Sequence, residues 1–81
     1  MAPIIDGTEM NMIGSNLRKL RTERKMSQQA LSNKLEMLAI YICRGSISRI
    51  EDKQRTVTDI ELYGIAKVLG VSVIDLLECE E

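Results

Sequence analysis

From Ile13 onward apolar residues return at helical spacing. Ile13, Leu17 and Leu20 stand at i, i+4 and i+7, with Arg18, Lys19, Arg21, Arg24 and Lys25 on the other faces. That stripe predicts an amphipathic helix with a basic outer surface. A second stripe, Leu31, Leu35 and Leu38, follows Ser27, whose hydroxyl suits an N-cap, and predicts a helix over residues 28–38. Residues 39–43 form an apolar connector without Gly or Pro, and Ile40 and Ile42 are expected to plug the core there. A short third helix over residues 44–52 would bury Ile47 and Ile50, and residues 53–57 read as a polar, basic loop. Thr58-Asp59-Ile60-Glu61 is a capping box, opening a fourth helix through Leu62, Ile65, Ala66 and Leu69 that Gly70 stops in a left-handed cap. Ser72 to Asp75 repeats the cap pattern and opens a last short helix ending near Leu77. With no strand signal, internal repeat or low-complexity stretch, the expected fold is all-α: a compact bundle of five short helices.

Length bounds this picture. A chain of 81 residues fits one small domain, which buries only about 60% of its unfolded surface. Without Trp or Phe, and with two Tyr, the core must be aliphatic. Residues 1–12 show no period and hold the only Pro, so they read as a flexible lead-in; residues 13–77 are the domain, and residues 78–81 an acidic tail. No segment approaches the ~20 continuous apolar residues of a membrane span, and the N-terminus lacks the pattern of a signal peptide. Two cysteines and no His make neither a disulfide framework nor an ordinary zinc site. No metal or cofactor is expected, and a reduced, cytoplasmic setting is the default.

Net charge is −1, which by itself argues against a polyanion partner, but the distribution reverses that. Residues 13–55 carry ten Lys/Arg against four acids, whereas residues 56–81 carry one Lys against six acids. One half of the chain is basic and the other acidic, a footprint of nucleic-acid binding when the basic residues share a face.

The motifs sharpen this. Met26-Ser27-Gln28-Gln29-Ala30-Leu31-Ser32 resembles the opening of the second helix in Cro/repressor-type (XRE-like) helix-turn-helix proteins, and Ile47-Ser48-Arg49-Ile50-Glu51 resembles their recognition helix. Leu20-Arg21 before them and Ala66-Lys67-Val68-Leu69-Gly70-Val71-Ser72 after them also look like the family, so the resemblance covers about residues 13–77. Eleven residues separate Leu35 from Ile47, roughly five more than the tight turn of most members, which places the chain beside a sub-group with an extended turn. Ala39 stands where that sub-group tends to have Gly, Cys43 occupies the usual Ser N-cap of the recognition helix, and Lys53 replaces the usual Gly after it.

The resemblance implies a lambda-repressor-like domain whose third helix enters the major groove of double-stranded DNA. Arg44, Gly45, Ser46, Ser48 and Arg49 lie away from Ile47 and Ile50 on that helix. Arg49 and Arg44 are the expected base readers, since Arg makes the commonest specific contact, bidentate to guanine. Ser48 is assigned to the bases with them, and Gly45 would permit close approach. Gln28, at a helix start, and Ser46, Lys53, Gln54 and Arg55 are assigned to phosphates. Arg21 and Glu51 are carried over as a structural ion pair. Cys43, at a helix start, invites a lowered thiol pKa and a redox role, but without a resolving cysteine the expectation is a small, partly buried apolar residue. Tyr63, Val73, Ile74 and Leu77 are the expected contacts of a homodimer.

Two functions compete at this point. One is a sequence-specific transcriptional regulator, a repressor by resemblance. The other is a helix-turn-helix interaction module, such as an antitoxin, binding a protein partner through the acidic C-terminal part. An enzyme is not expected, because the chain has no His, no Gly-rich phosphate loop and no activated nucleophile, so no catalytic residue is assigned.

Overall fold

A computed structural model describes residues 8–78. Among the described residues there are five helices and no strand: α1 (Gly14–Glu23), α2 (Gln28–Glu36), α3 (Arg44–Glu51), α4 (Asp59–Leu69) and α5 (Val73–Leu77). α2 packs on α3 and α4, α1 crosses α3 and α5, and α4 meets α5. Leu17, Leu31, Leu35, Ile47, Ile50, Ile65 and Leu76 are fully buried at the centre, with Ile13, Ile42, Ala66 and Leu69 around them. No helix among the described residues is long and apolar enough to cross a membrane.

The helix starts follow local chemistry. Ser27 accepts a hydrogen bond from Ala30 N–H, and Thr58/Glu61 and Ser72/Asp75 form complete capping boxes. The helix ends follow one rule that the glycines alone do not reveal. Met26, Ile40, Gln54 and Val71 each donate their backbone N–H five residues back, to Arg21, Leu35, Arg49 and Ala66. The residue before each donor is left-handed: Lys25 (φ 53°), Ala39 (φ 60°), Lys53 (φ 60°) and Gly70 (φ 71°). These are Schellman ends, where Gly is preferred because a Cβ crowds the left-handed backbone. Both positions at which the chain departs from the family's Gly, Ala39 and Lys53, are thus left-handed. Ala39→Gly is expected to raise stability by about 0.5–1 kcal/mol, measured by urea denaturation, because it relieves that crowding at an exposed site.

Two expectations need correction. α2 stops at Glu36, so Leu38 is not part of a buried stripe; it is exposed in the turn, and Met37 beside it is 85% exposed. The core place falls to Ile42, which is buried, and to Ile40, which is half-buried against it. Ser32 fixes this longer turn by donating its hydroxyl to Ile42 O at 2.7 Å. Residues 10 and 11, read as part of a flexible lead-in, are tied to the end of α3 and the loop after it. Met10 N–H donates to Lys53 O at 3.0 Å, and Asn11 bonds α1, α3 and the loop at once. Residues 1–7 and 79–81, the rest of the lead-in and most of the tail, lie outside the described residues.

Candidate nucleic-acid interface

α3 exposes one face because its apolar residues fall on the other. Ile47 and Ile50 are buried, Arg44, Gly45 and Arg49 are exposed, and Ser46 and Ser48 are half-buried at the edges. Among the described residues neither Arg44 nor Arg49 uses its side chain in an ion pair or hydrogen bond. A Cβ added at Gly45 would meet nothing within 4 Å. The helix therefore presents two cations with open space between them.

The far end of α3 is held by charge. Glu51 is buried, with 0% of its side chain exposed. Arg21 grips it with two bonds, Nε to Oε2 at 2.6 Å and Nη2 to Oε1 at 3.0 Å. Arg21 also donates Nη1 to Met26 O at 2.7 Å, which fixes the turn into α2. Arg18 Nε (3.3 Å) and Gln28 Nε2 (3.1 Å) complete the cage on Oε1, and Arg18 reaches Asp52 at 2.8 Å. Burial pushes the Glu51 carboxyl upward, but the hydrogen bonds from Arg21, Gln28 and Arg18 outweigh it and hold its pKa below the usual carboxylate value. One carboxylate thus joins α1, α2 and α3. Gly14 allows the approach on the α1 side, where a Cβ would lie 2.5 Å from Ile50 O and 2.8 Å from Glu51 O.

Gln28, assigned from the sequence to a phosphate, turns its amide inward to Glu51. Lys53 pairs with Glu9 at 3.0 Å on the surface. Gln54 is exposed. Arg55 is not an open phosphate contact: Glu61 holds its guanidinium by two bonds, at 3.1 and 2.9 Å, and raises its pKa. The sequence shows Glu61 as a capping residue, and it is, but the same carboxylate serves both roles.

Cys43 is the N-cap residue of α3 but makes no capping bond with its side chain, and it is exposed rather than partly buried. Its thiol donates to Ser46 Oγ at 3.4 Å; in the thiolate form that hydroxyl and nearby backbone N–H groups donate to the sulfur instead, which lowers the pKa. Of the expected dimer residues, Tyr63 and Ile74 are exposed, whereas Val73 and Leu77 are half-buried against the core. Ile60, one turn before Tyr63 on α4, is 66% exposed as well. Sequence reasoning missed Arg18, Asn11 and Arg24, whose Nε donates to Leu69 O at 2.7 Å and caps the end of α4. Only Arg18 left a signal, one turn from Arg21 on the same side of α1.

Solved structures share this architecture. The restriction-modification controller protein C.AhdI from Aeromonas hydrophila is 26% identical, with 80% of this chain and 91% of that one aligned at a TM-score of 0.71. The DNA-binding domain of BldD is 24% identical over 91% of this chain and all of that one, at a TM-score of 0.71. Hydroxypropylphosphonic acid epoxidase from S. wedmorenis matches at 24% identity and a TM-score of 0.73 over 90% of this chain but only 36% of the enzyme, so the fold also occurs inside a larger catalytic chain. No functionally curated protein matches the sequence. The helix-turn-helix family HTH_3 matches residues 17–76, from the first buried leucine of α1 to the last of α5, and the chain belongs to that Cro/repressor-type family of DNA-binding domains.

Proposed function

We propose that the protein is a sequence-specific transcriptional regulator, acting as a repressor in the cytoplasm, with α3 in the major groove of double-stranded DNA. The observation that carries this is the pairing pattern of the cations. Arg18, Arg21, Lys53 and Arg55 all have carboxylate partners, whereas Arg44 and Arg49 have none and share the exposed face of α3. Those two arginines read bases, Gly45 and Ser48 lie against the groove, and Ser46 sits at the phosphate edge. The α2 N-terminus at Gln28, Lys53 exchanged from Glu9, and Gln54 bind phosphates; Arg55 ties the loop to α4 instead. On this reading the protein acts by binding rather than by catalysing a reaction.

The exposed apolar residues Ile60, Tyr63 and Ile74 support a homodimer, which would set two recognition helices about 34 Å apart on a pseudo-palindrome. Partner binding through the acidic C-terminal part finds less support. Glu61 and Asp75 are both engaged in caps, and Glu61 in the Arg55 pair as well.

The test is selection from a random duplex library, followed by affinity measurements across salt concentrations. The expected result is an enriched half-site and a log–log line falling by about 0.9 per phosphate contact. Absence of binding at low salt overturns the reading in favour of the interaction module. Ile74→Glu should move the sedimentation equilibrium towards monomer; an unchanged distribution removes this face from the dimer.

A further inference from the structure

The residues ahead of α1 cross the end of the recognition helix, and one side chain joins the two. Asn11 Oδ1 accepts from the N–H groups of Ile13 (3.1 Å) and Gly14 (2.9 Å), while Nδ2 donates to the carbonyls of Ile50 (3.1 Å) and Arg55 (2.8 Å). Both donor hydrogens and two acceptor sites of the carboxamide are in use. Met10 N–H holds Lys53 O, so two carbonyls of the loop after α3 are fastened by adjacent residues. A helix cap needs only the acceptor oxygen, which Ser or Asp would supply equally well. The donor half does something a cap does not: it fixes the path of residues 53–55, where Lys53 is already left-handed.

We propose that Asn11 is a positioning residue for DNA binding, holding the loop after α3 so that Lys53 and Gln54 meet the phosphate backbone in register with the recognition helix. This rests on the reading of α3 as the DNA-binding element. It assigns a role to a segment outside the helix-turn-helix itself. Glu9, paired with Lys53 from the same segment, keeps that lysine in place until a phosphate replaces the carboxylate.

Two variants separate the halves of the side chain. Asn11→Ser keeps an acceptor oxygen and removes both N–H donors, its single short hydroxyl being unable to bond both carbonyls at once; Asn11→Asp also sets a carboxylate against two carbonyls. Affinity for the selected duplex is measured against salt at a temperature where circular dichroism shows each variant folded. The expected result is a loss of about tenfold for Ser and more for Asp, with the salt slope reduced by about 1 and the enriched sequence unchanged. Lys53→Ala should then weaken the Asn11→Ser variant less than it weakens the natural protein, because both changes remove the same contact. A natural slope in both variants, or strictly additive effects of Asn11→Ser and Lys53→Ala, overturns the proposal. If the natural protein binds no duplex at any salt, the DNA reading and this proposal fall together; if it binds and both variants match it, only the positioning role falls.

Discussion

Glu51→Ala is expected to destabilise the fold by about 3–5 kcal/mol and to leave it largely unfolded near 37 °C. The change removes one partner of a buried pair and strands Arg21, only 12% of whose side chain is exposed, without its counter-charge. Small domains have total stabilities of roughly 5–15 kcal/mol, and a short chain sits at the low end. The loss is therefore most of what holds the protein together. Arg18→Ala should cost much less, under about 1 kcal/mol, because that guanidinium is half-exposed and screened. Urea denaturation checks both; equal losses would mean that the cage does not depend on burial. The pH dependence has a definite sign. Since the folded carboxyl is held below its unfolded value, near 4.3, its contribution is complete above that value and is lost as pH falls through the lower folded pKa. Glu51→Gln should flatten acid denaturation over that interval.

Arg49→Ala should have the second largest effect, on recognition rather than on folding. Among the described residues its exposed side chain makes no hydrogen bond or ion pair, so the melting temperature should stay close to the natural value. A bidentate contact to guanine is worth about 1–3 kcal/mol of discrimination, so preference at one base position should fall by roughly 5- to 150-fold. Lys53→Ala should instead weaken every sequence alike and reduce the salt slope by about 1. Competition binding with single-base variants of the selected duplex distinguishes the two. Identical behaviour of both variants would dissolve the division between base reader and phosphate contact.

Much of the fold was legible because its signals are local. Thr58 with Glu61, Ser72 with Asp75, and Gly70 each announce a boundary within four residues, and all three boundaries lie there. The end of α2 was misread for a physical reason: Leu38 continues the apolar stripe, but the chain has already turned, through a left-handed Ala39 that carries no glycine signature. Asn11 was invisible for the opposite reason. Its partners Ile50 and Arg55 lie about forty residues away, and a lone Asn in an aperiodic segment predicts nothing.

The site divides in the same way. The two exposed arginines of α3 follow from helical spacing around Ile47 and Ile50, so sequence alone places them. Arg55 did not follow, because its exposure depends on where Glu61 comes to lie. The basic stretch from residue 13 to residue 55 is likewise less positive in three dimensions than in sequence, because Glu9 and Glu61 from outside it pair with Lys53 and Arg55. Carboxylates balance Arg18, Arg21, Lys53 and Arg55, and the unbalanced positive charge of the recognition helix is its own two arginines. Resemblance named the Arg21–Glu51 pair; only the fold brings Arg18 and Gln28 to the same carboxylate.

If the outer face of α3 reads DNA sequence, parallel library selections will show it. The natural protein and an Arg44→Ala/Arg49→Ala variant, both confirmed folded, are taken through the same selection. An enriched half-site is expected for the natural protein, and for the variant only salt-sensitive binding without a consensus. The same consensus from both would contradict this reading of α3.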